Sequence, residues 1–235
     1  MTSFFPTSQF NNDDSHSVAA LSRHARRGRT MYYKIIDEDG LRFGRALDVY
    51  TTGSTPIDDG GYDNEYSELG KLIHELKYGD RDPAACERIV DEIFQIALPS
   101  LKDLGFLKVS ELTVVPMPST SKREFDPVSH LAKKIADHFK LAYRDDILSK
   151  GSEVHAKRLE RGREFADGDF SAIQFSEAPF DDDPYPMPLL IADDIYGEGR
   201  SLRACLRALK NSGHDERVYY LGMVYTRNHG LTRQP

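Results

Sequence analysis

Three short runs in the second half of the chain, Leu112–Val115, Leu189–Ala192 and Val218–Val224, constrain the fold most strongly. Each is predominantly apolar and too short for a helix, which is the signature of a buried strand. Amphipathic stretches separate them. Val128, Leu131, Ala132, Ile135, Ala136 and Phe139 share one helical face, and Leu202, Cys205, Leu206 and Leu209 share another that ends near Gly213. Strands alternating with helices select a parallel sheet, because parallel neighbours need a long crossover rather than a tight turn. The expected class is α/β.

The first half reads differently. Tyr32–Ile36 is expected as a strand, Asp37-Glu38-Asp39-Gly40 as a turn and Leu41–Tyr50 as a returning strand, together a β-hairpin. Thr52 through Gly61 is rich in breakers and reads as loop. Leu69, Leu72, Ile73 and Leu76 fall at helical spacing, with Gly79 placed to close that helix in a left-handed conformation. Asp82-Pro83 opens a second helix on Ile89, Ile93 and Ala97, which Pro99 is expected to stop. Phe170–Phe175 is a further expected strand, and Asp181–Pro186 an exposed loop.

Composition narrows the function classes. Lysine plus arginine total 31 against 38 aspartate plus glutamate, a formal charge of −7, which disfavours a protein that wraps duplex DNA. No apolar run reaches the ~20 residues of a membrane helix, and the first thirty residues lack the succession of a secretory signal. Two cysteines, Cys86 and Cys205, exclude a disulfide framework and a cysteine-rich zinc site, so a reducing cytoplasm is expected. Residues 1–30 carry no periodicity. Their cluster Arg23, Arg26, Arg27 and Arg29 is either a solvated arm or a basic handle for nucleic acid or an acidic protein partner.

The chemistry concentrates in Leu189–Leu202. An apolar strand delivers Asp193 and Asp194 at its carboxyl end, and a turn containing Gly197 and Gly199 then opens a helix. That edge of an open α/β sheet is where ligands bind. Backbone N–H groups of Ile195, Tyr196, Gly197, Glu198, Gly199, Arg200 and Ser201, with a helix dipole behind them, suit a phosphate. A sugar carried on that phosphate lies over the acids, whose carboxylates accept hydrogen bonds from hydroxyls. Neighbouring residues on a strand face opposite ways, so one acid meets the sugar and the other orients the loop or a Mg²⁺-bound water. Read as pattern alone, the segment is equally a strand-to-helix turn in which Asp194 caps.

The segment resembles the phosphoribosyl pyrophosphate (PRPP) motif of type I phosphoribosyltransferases: apolar strand, two acids, apolar residue, and a loop closing in glycine and a hydroxyl residue. Asp193 and Asp194 match the acids, Gly199 the glycine and Ser201 the hydroxyl. Three more pieces are similar to the ComF-type branch of that family. They are Leu76-Lys77-Tyr78, Val115-Pro116-Met117-Pro118-Ser119 leading to Arg123–Val128, and Arg158-Leu159-Glu160-Arg161 up to Phe170. The order is kept over about residues 65–228.

The resemblance implies a parallel sheet flanked by helices with a small N-terminal hairpin or hood: tail 1–30, hairpin 31–64, phosphoribosyltransferase-like domain 65–235. It implies transfer of phosphoribose from PRPP to a nitrogenous base with release of pyrophosphate, Mg²⁺ as cofactor, and a homodimer. Pro118, Ser119, Thr120, Lys122 and Arg123 are then the pyrophosphate loop, with a cis peptide as in relatives. Lys157, Arg158 and Arg161 belong to a loop that closes over the site. No metal ligand is assigned directly; Mg²⁺ is reached through waters near Asp193 and Asp194. Lys77 and Tyr78 are expected to pack rather than to act.

Two departures open an alternative. Glu198 stands among the phosphate-binding positions, and a carboxylate ~4 Å from phosphate at an effective dielectric of ~20 costs about 4 kcal/mol per unit charge before screening. Glu124 adds an acid beside the pyrophosphate loop. The amino-terminal zinc ribbon of the ComF branch is also missing. The alternative is a catalytically altered module of the same fold that senses PRPP or a nucleotide, or contacts nucleic acid or a protein. An unrelated dinucleotide-binding domain is disfavoured, since no Gly-x-Gly-x-x-Gly follows Val115.

Overall fold

The computed structural model describes residues 22–26, 29–58, 60–79, 82–109, 111–119, 125–150, 173–176, 187–214 and 217–227; of residues 22–26 and 29–30 it describes the backbone. The molecule is α/β. A seven-stranded mixed sheet has the order β1-β2-β3-β11-β10-β6-β7. Its parallel part comprises β3 (Phe43–Val49), β11 (Val218–Tyr225), β10 (Leu189–Tyr196), β6 (Thr113–Pro116) and the two-residue β7 (Ala142–Tyr143). β1 (Ser22–Arg26) and β2 (Arg29–Ile36) add antiparallel on the outer side of β3. The expected hairpin therefore forms as β2–β3, and its second strand is built into the central sheet beside β11.

Strand alternation sorts the core into two faces. Leu190 and Ala192 of β10 join Val114, Leu221 and Met223 against α1 (Glu68–Tyr78), α2 (Pro83–Lys102) and α3 (Pro127–Phe139). Leu189 and Ile191 join Val115, Val218 and Tyr220 against α4 (Arg200–Asn211). Two short antiparallel pairs lie outside the sheet: β4 (Thr51–Pro56) with β5 (Tyr62–Tyr66), and β8 (Leu148–Lys150) with β9 (Ile173–Phe175). Among the described residues no helix is long and apolar enough to cross a membrane.

Local chemistry explains the helix starts. Ser67 caps α1 by accepting from Gly70 N while its hydroxyl donates to Val49 O, which fastens the helix to the end of β3. Asp82 caps α2 through Ala85 N, with Pro83 at the first helical position. Asp126 caps α3 through Val128 N.

Three expectations need correction. Pro99 does not stop α2, which runs on to Lys102 because Leu101 is fully buried there, and the exposed Gln95, whose carbonyl loses its partner, faces water. Gly79 closes α1 with extended backbone, not left-handed, and donates its N–H to Glu75 O. The expected loop Thr52–Gly61 instead holds most of β4 and the turn of the β4–β5 ribbon, with Asp58 and Gly60 at that turn.

Candidate functional site

Strand β10 is longer than its apolar run. Pairing with β11 carries it through Asp193, Ile195 and Tyr196, so the acids are held in strand geometry rather than in a loop. Alternation then sends them apart. Asp193 shares the face of Ile191 and receives the Tyr220 hydroxyl from β11 at 3.0 Å. Asp194 turns to the opposite face, where Lys77 Nζ of α1 lies 3.3 Å from its Oδ2.

Asp193 is buried. Its Oδ1 accepts the backbone N–H of Asp194 at 2.9 Å, so one carboxylate fixes the other's main chain. Burial, and the Asp194 carboxylate beside it, push the Asp193 carboxyl up to about 7, while Lys77 and the Tyr220 hydrogen bond act the other way. The Tyr220 hydroxyl is pushed well above its ordinary value by burial and by the same acids.

Beyond Tyr196 the chain turns through Gly197, Glu198 and Gly199 into α4. Gly199 adopts φ +75°, a left-handed conformation that favours glycine, and α4 begins there without a side-chain cap. The side chain of Glu198 is 61% exposed and its Oε2 pairs with Arg200 Nη2 at 2.8 Å. Behind the loop, Glu38 Oε1 accepts both the Tyr196 hydroxyl at 2.7 Å and Arg203 Nη1 at 2.9 Å.

These elements wall a cavity of about 470 Å³ at the carboxyl ends of β10 and β6. The structure brings Asp193, Asp194 and the whole of Ile195–Ser201 to it, together with Pro118 and Ser119. Lys77 and Tyr78, expected to pack, line it as well: Lys77 holds Asp194, and Tyr78 is 71% exposed. Lys150, at the end of β8, completes this wall. Thr120, Lys122, Arg123, Lys157, Arg158, Arg161 and the side chains of Arg23–Arg29 lie outside the described residues. The described peptide bonds are all trans, those from Pro116 to Ser119 included, so the cis peptide is not found there.

Sequence reasoning missed Tyr220 and Glu38, and gave Lys77 the wrong role. Tyr220 sits inside an apolar strand and reads as core. Lys77 lies in the last turn of α1, where a cation suits the helix dipole, so nothing local pointed to Asp194.

A cation can be tested against this wall. Among the described residues no group of three or more His, Cys, Asp or Glu side chains is placed to hold a metal ion. The wall does combine the acids Asp126, Asp193, Asp194 and Glu198 with the bases Lys77, Lys150 and Arg200. Acids in this number oppose a bare polyphosphate but suit one that arrives with Mg²⁺, an ion that keeps several waters and binds through few carboxylates. Asp194, beside the cavity and less buried than Asp193, is the carboxylate that fits such a water-mediated role. No protein-family model matches the chain, and no curated protein matches it.

Proposed function

We propose that the cavity seats the 5′-phosphate and ribose of PRPP, and that the protein transfers phosphoribose to a nitrogenous base with release of pyrophosphate. The observation that carries this reading is the uncapped loop-to-helix turn at Gly197–Ser201 lying beside two strand-end carboxylates in one cavity. The cavity volume, about 470 Å³, falls within the ~300–1,000 Å³ usual for small-molecule sites.

In this reading the loop N–H groups bind the 5′-phosphate and the dipole of α4 stabilises its charge. Asp194 accepts hydrogen bonds from ribose hydroxyls, and Asp193 holds Asp194 in place through its backbone N–H. The bond from C1 to the pyrophosphate oxygen breaks with its electron pair leaving on pyrophosphate. A ring nitrogen of the base then bonds to C1 and gives its proton to solvent or to a side chain at the wall. Positive charge develops on the sugar ring, and the nearby Asp194 carboxylate stabilises it. Mg²⁺, bound with PRPP, offsets the charge of the phosphates. Lys77 and Lys150 are the described ammonium groups on the wall that meet the leaving group, and the exposed Tyr78 ring offers a flat apolar face to a planar acceptor.

The test is pyrophosphate release from PRPP and Mg²⁺ across a panel of purine and pyrimidine bases, with Asp194→Asn as control. Release that needs one base and is lost in the variant is expected. Folded wild-type protein that neither binds PRPP nor releases pyrophosphate overturns the proposal.

A second reading rests on Glu198, whose carboxylate stands on the loop itself. There the module binds PRPP or a nucleotide without turnover and reports its presence. Binding by calorimetry with no pyrophosphate release from any base selects this reading over the first.

A further inference from the structure

We propose that Glu38 is the positioning residue of the Gly197–Ser201 loop, setting its shape from outside the cavity. The inference rests on the reading of that loop as a phosphate seat, and adds a residue from the turn between β2 and β3 that is remote from it in sequence.

One carboxylate oxygen does the positioning. Glu38 Oε1 accepts the Tyr196 hydroxyl at 2.7 Å and Arg203 Nη1 at 2.9 Å. Tyr196 is the last residue of β10, immediately before the loop, and Arg203 lies in the first turn of α4, immediately after it. The single oxygen therefore ties the two ends of the loop to one point. The Glu38 side chain is 13% exposed, so these charge-assisted bonds are partly shielded from water.

Gly199 supplies the independent observation. A Cβ built there would overlap Glu38 Oε1 and would come within 2.8 Å of Arg203 Nη1 and 2.9 Å of the Tyr196 hydroxyl. The clamp fills the space behind the loop where a side chain would go. Only glycine, with no Cβ, can hold φ +75° against that clamp. The clamp is also charge-balanced, because Arg203 neutralises the acid that would otherwise stand behind a phosphate seat. Glu38 does not itself line the cavity; it meets the lining residue Tyr196 from behind. It acts through Tyr196, Arg203 and Gly199.

Two variants separate positioning from general stabilisation. Glu38→Gln keeps an oxygen that can accept both donors; Glu38→Ala removes it. Amide hydrogen exchange over residues 197–203 is expected to quicken about tenfold or more in Glu38→Ala and to stay within about threefold in Glu38→Gln, with α2 unchanged in both. Calorimetry with ribose 5-phosphate, and with PRPP and Mg²⁺, is expected to show about tenfold weaker binding for Glu38→Ala and near-native binding for Glu38→Gln. Unchanged loop exchange in Glu38→Ala overturns the proposal, as does quickening spread evenly through α2. Native-strength phosphate binding by Glu38→Ala overturns it too. If the wild type binds neither ligand, the phosphate reading of the loop falls, and the exchange result alone decides whether Glu38 shapes it.

Discussion

Lys77 Nζ stands 3.3 Å from Asp194 Oδ2, so the last turn of α1 is tied by charge to the end of the central strand β10. The pair faces the same cavity as the loop after Tyr196. It gives the two-acid motif a compensating cation that comes from a helix more than a hundred positions earlier.

Replacing Lys77 by methionine keeps the aliphatic stem and removes that cation. Lys77 is 34% exposed and Asp194 15%, so solvent screens the pair and the expected loss is about 1 kcal/mol or less. Thermal unfolding should shift by no more than about 2–4 °C. The sharper readout is titration: Lys77 holds the Asp193 carboxyl down, so its apparent pKa should rise further in the variant, followed by carboxyl NMR.

The pH dependence of stability follows from Asp193. Its carboxyl is raised from 3.8 to about 7 in the fold, so between these values the native state holds a proton that the unfolded chain has lost. Stability from this group is therefore fully present below about pH 4 and falls as pH rises toward 7, by at most about 1.4 kcal/mol per pH unit. Asp193→Asn removes this slope. The urea midpoint of the variant relative to wild type should climb from pH 5 to pH 8 and then level; a constant difference would contradict the assignment.

Glu198→Thr tests the acid in the loop. Its pair with Arg200 is largely exposed, so folding stability should change by less than about 1 kcal/mol. Affinity for ribose 5-phosphate should rise about tenfold, because a like charge beside the phosphate is removed. Calorimetry at two salt concentrations checks both the gain and its electrostatic origin.

Gly70→Ala sets a packing effect against a helix-propensity effect. Alanine gains ~1 kcal/mol inside a helix, but a methyl at position 70 would overlap the Tyr50 carbonyl, a backbone group that cannot swing aside. A net loss of about 1–3 kcal/mol in chemical denaturation is expected. Gly105→Ala, where nothing lies within 4 Å, is the matched control and should be nearly neutral.

Much of the fold could be read from the chain because its signals are local. The runs at Leu112, Leu189 and Val218 and the stripes of α3 and α4 each announce themselves within about a dozen residues. So does the cap Asp82. The errors arose where tertiary packing overrides a local rule. Pro99 should end a helix, yet burial of Leu101 two residues on keeps α2 going. The site divides in the same way. The acids and the glycine turn were visible as one segment, and strand alternation correctly separated Asp193 from Asp194. Their partners were not visible. Glu38 and Tyr196 are 158 residues apart, and a turn acid in a hairpin carries no mark of the loop it will meet. Tyr220 looks like any aromatic in an apolar strand until its hydroxyl is seen on Asp193.

The insertion of β3 between β2 and β11 has a consequence for anyone shortening this protein. Trimming the chain up to Tyr50 would not remove an appendage. It would strip one flank of β11, baring a row of main-chain donors and acceptors on an eight-residue, mostly apolar strand. Such a fragment would be prone to stack on itself through that raw flank. It would also lose Glu38, so failure of a truncated form would say nothing about the chemistry of the intact one.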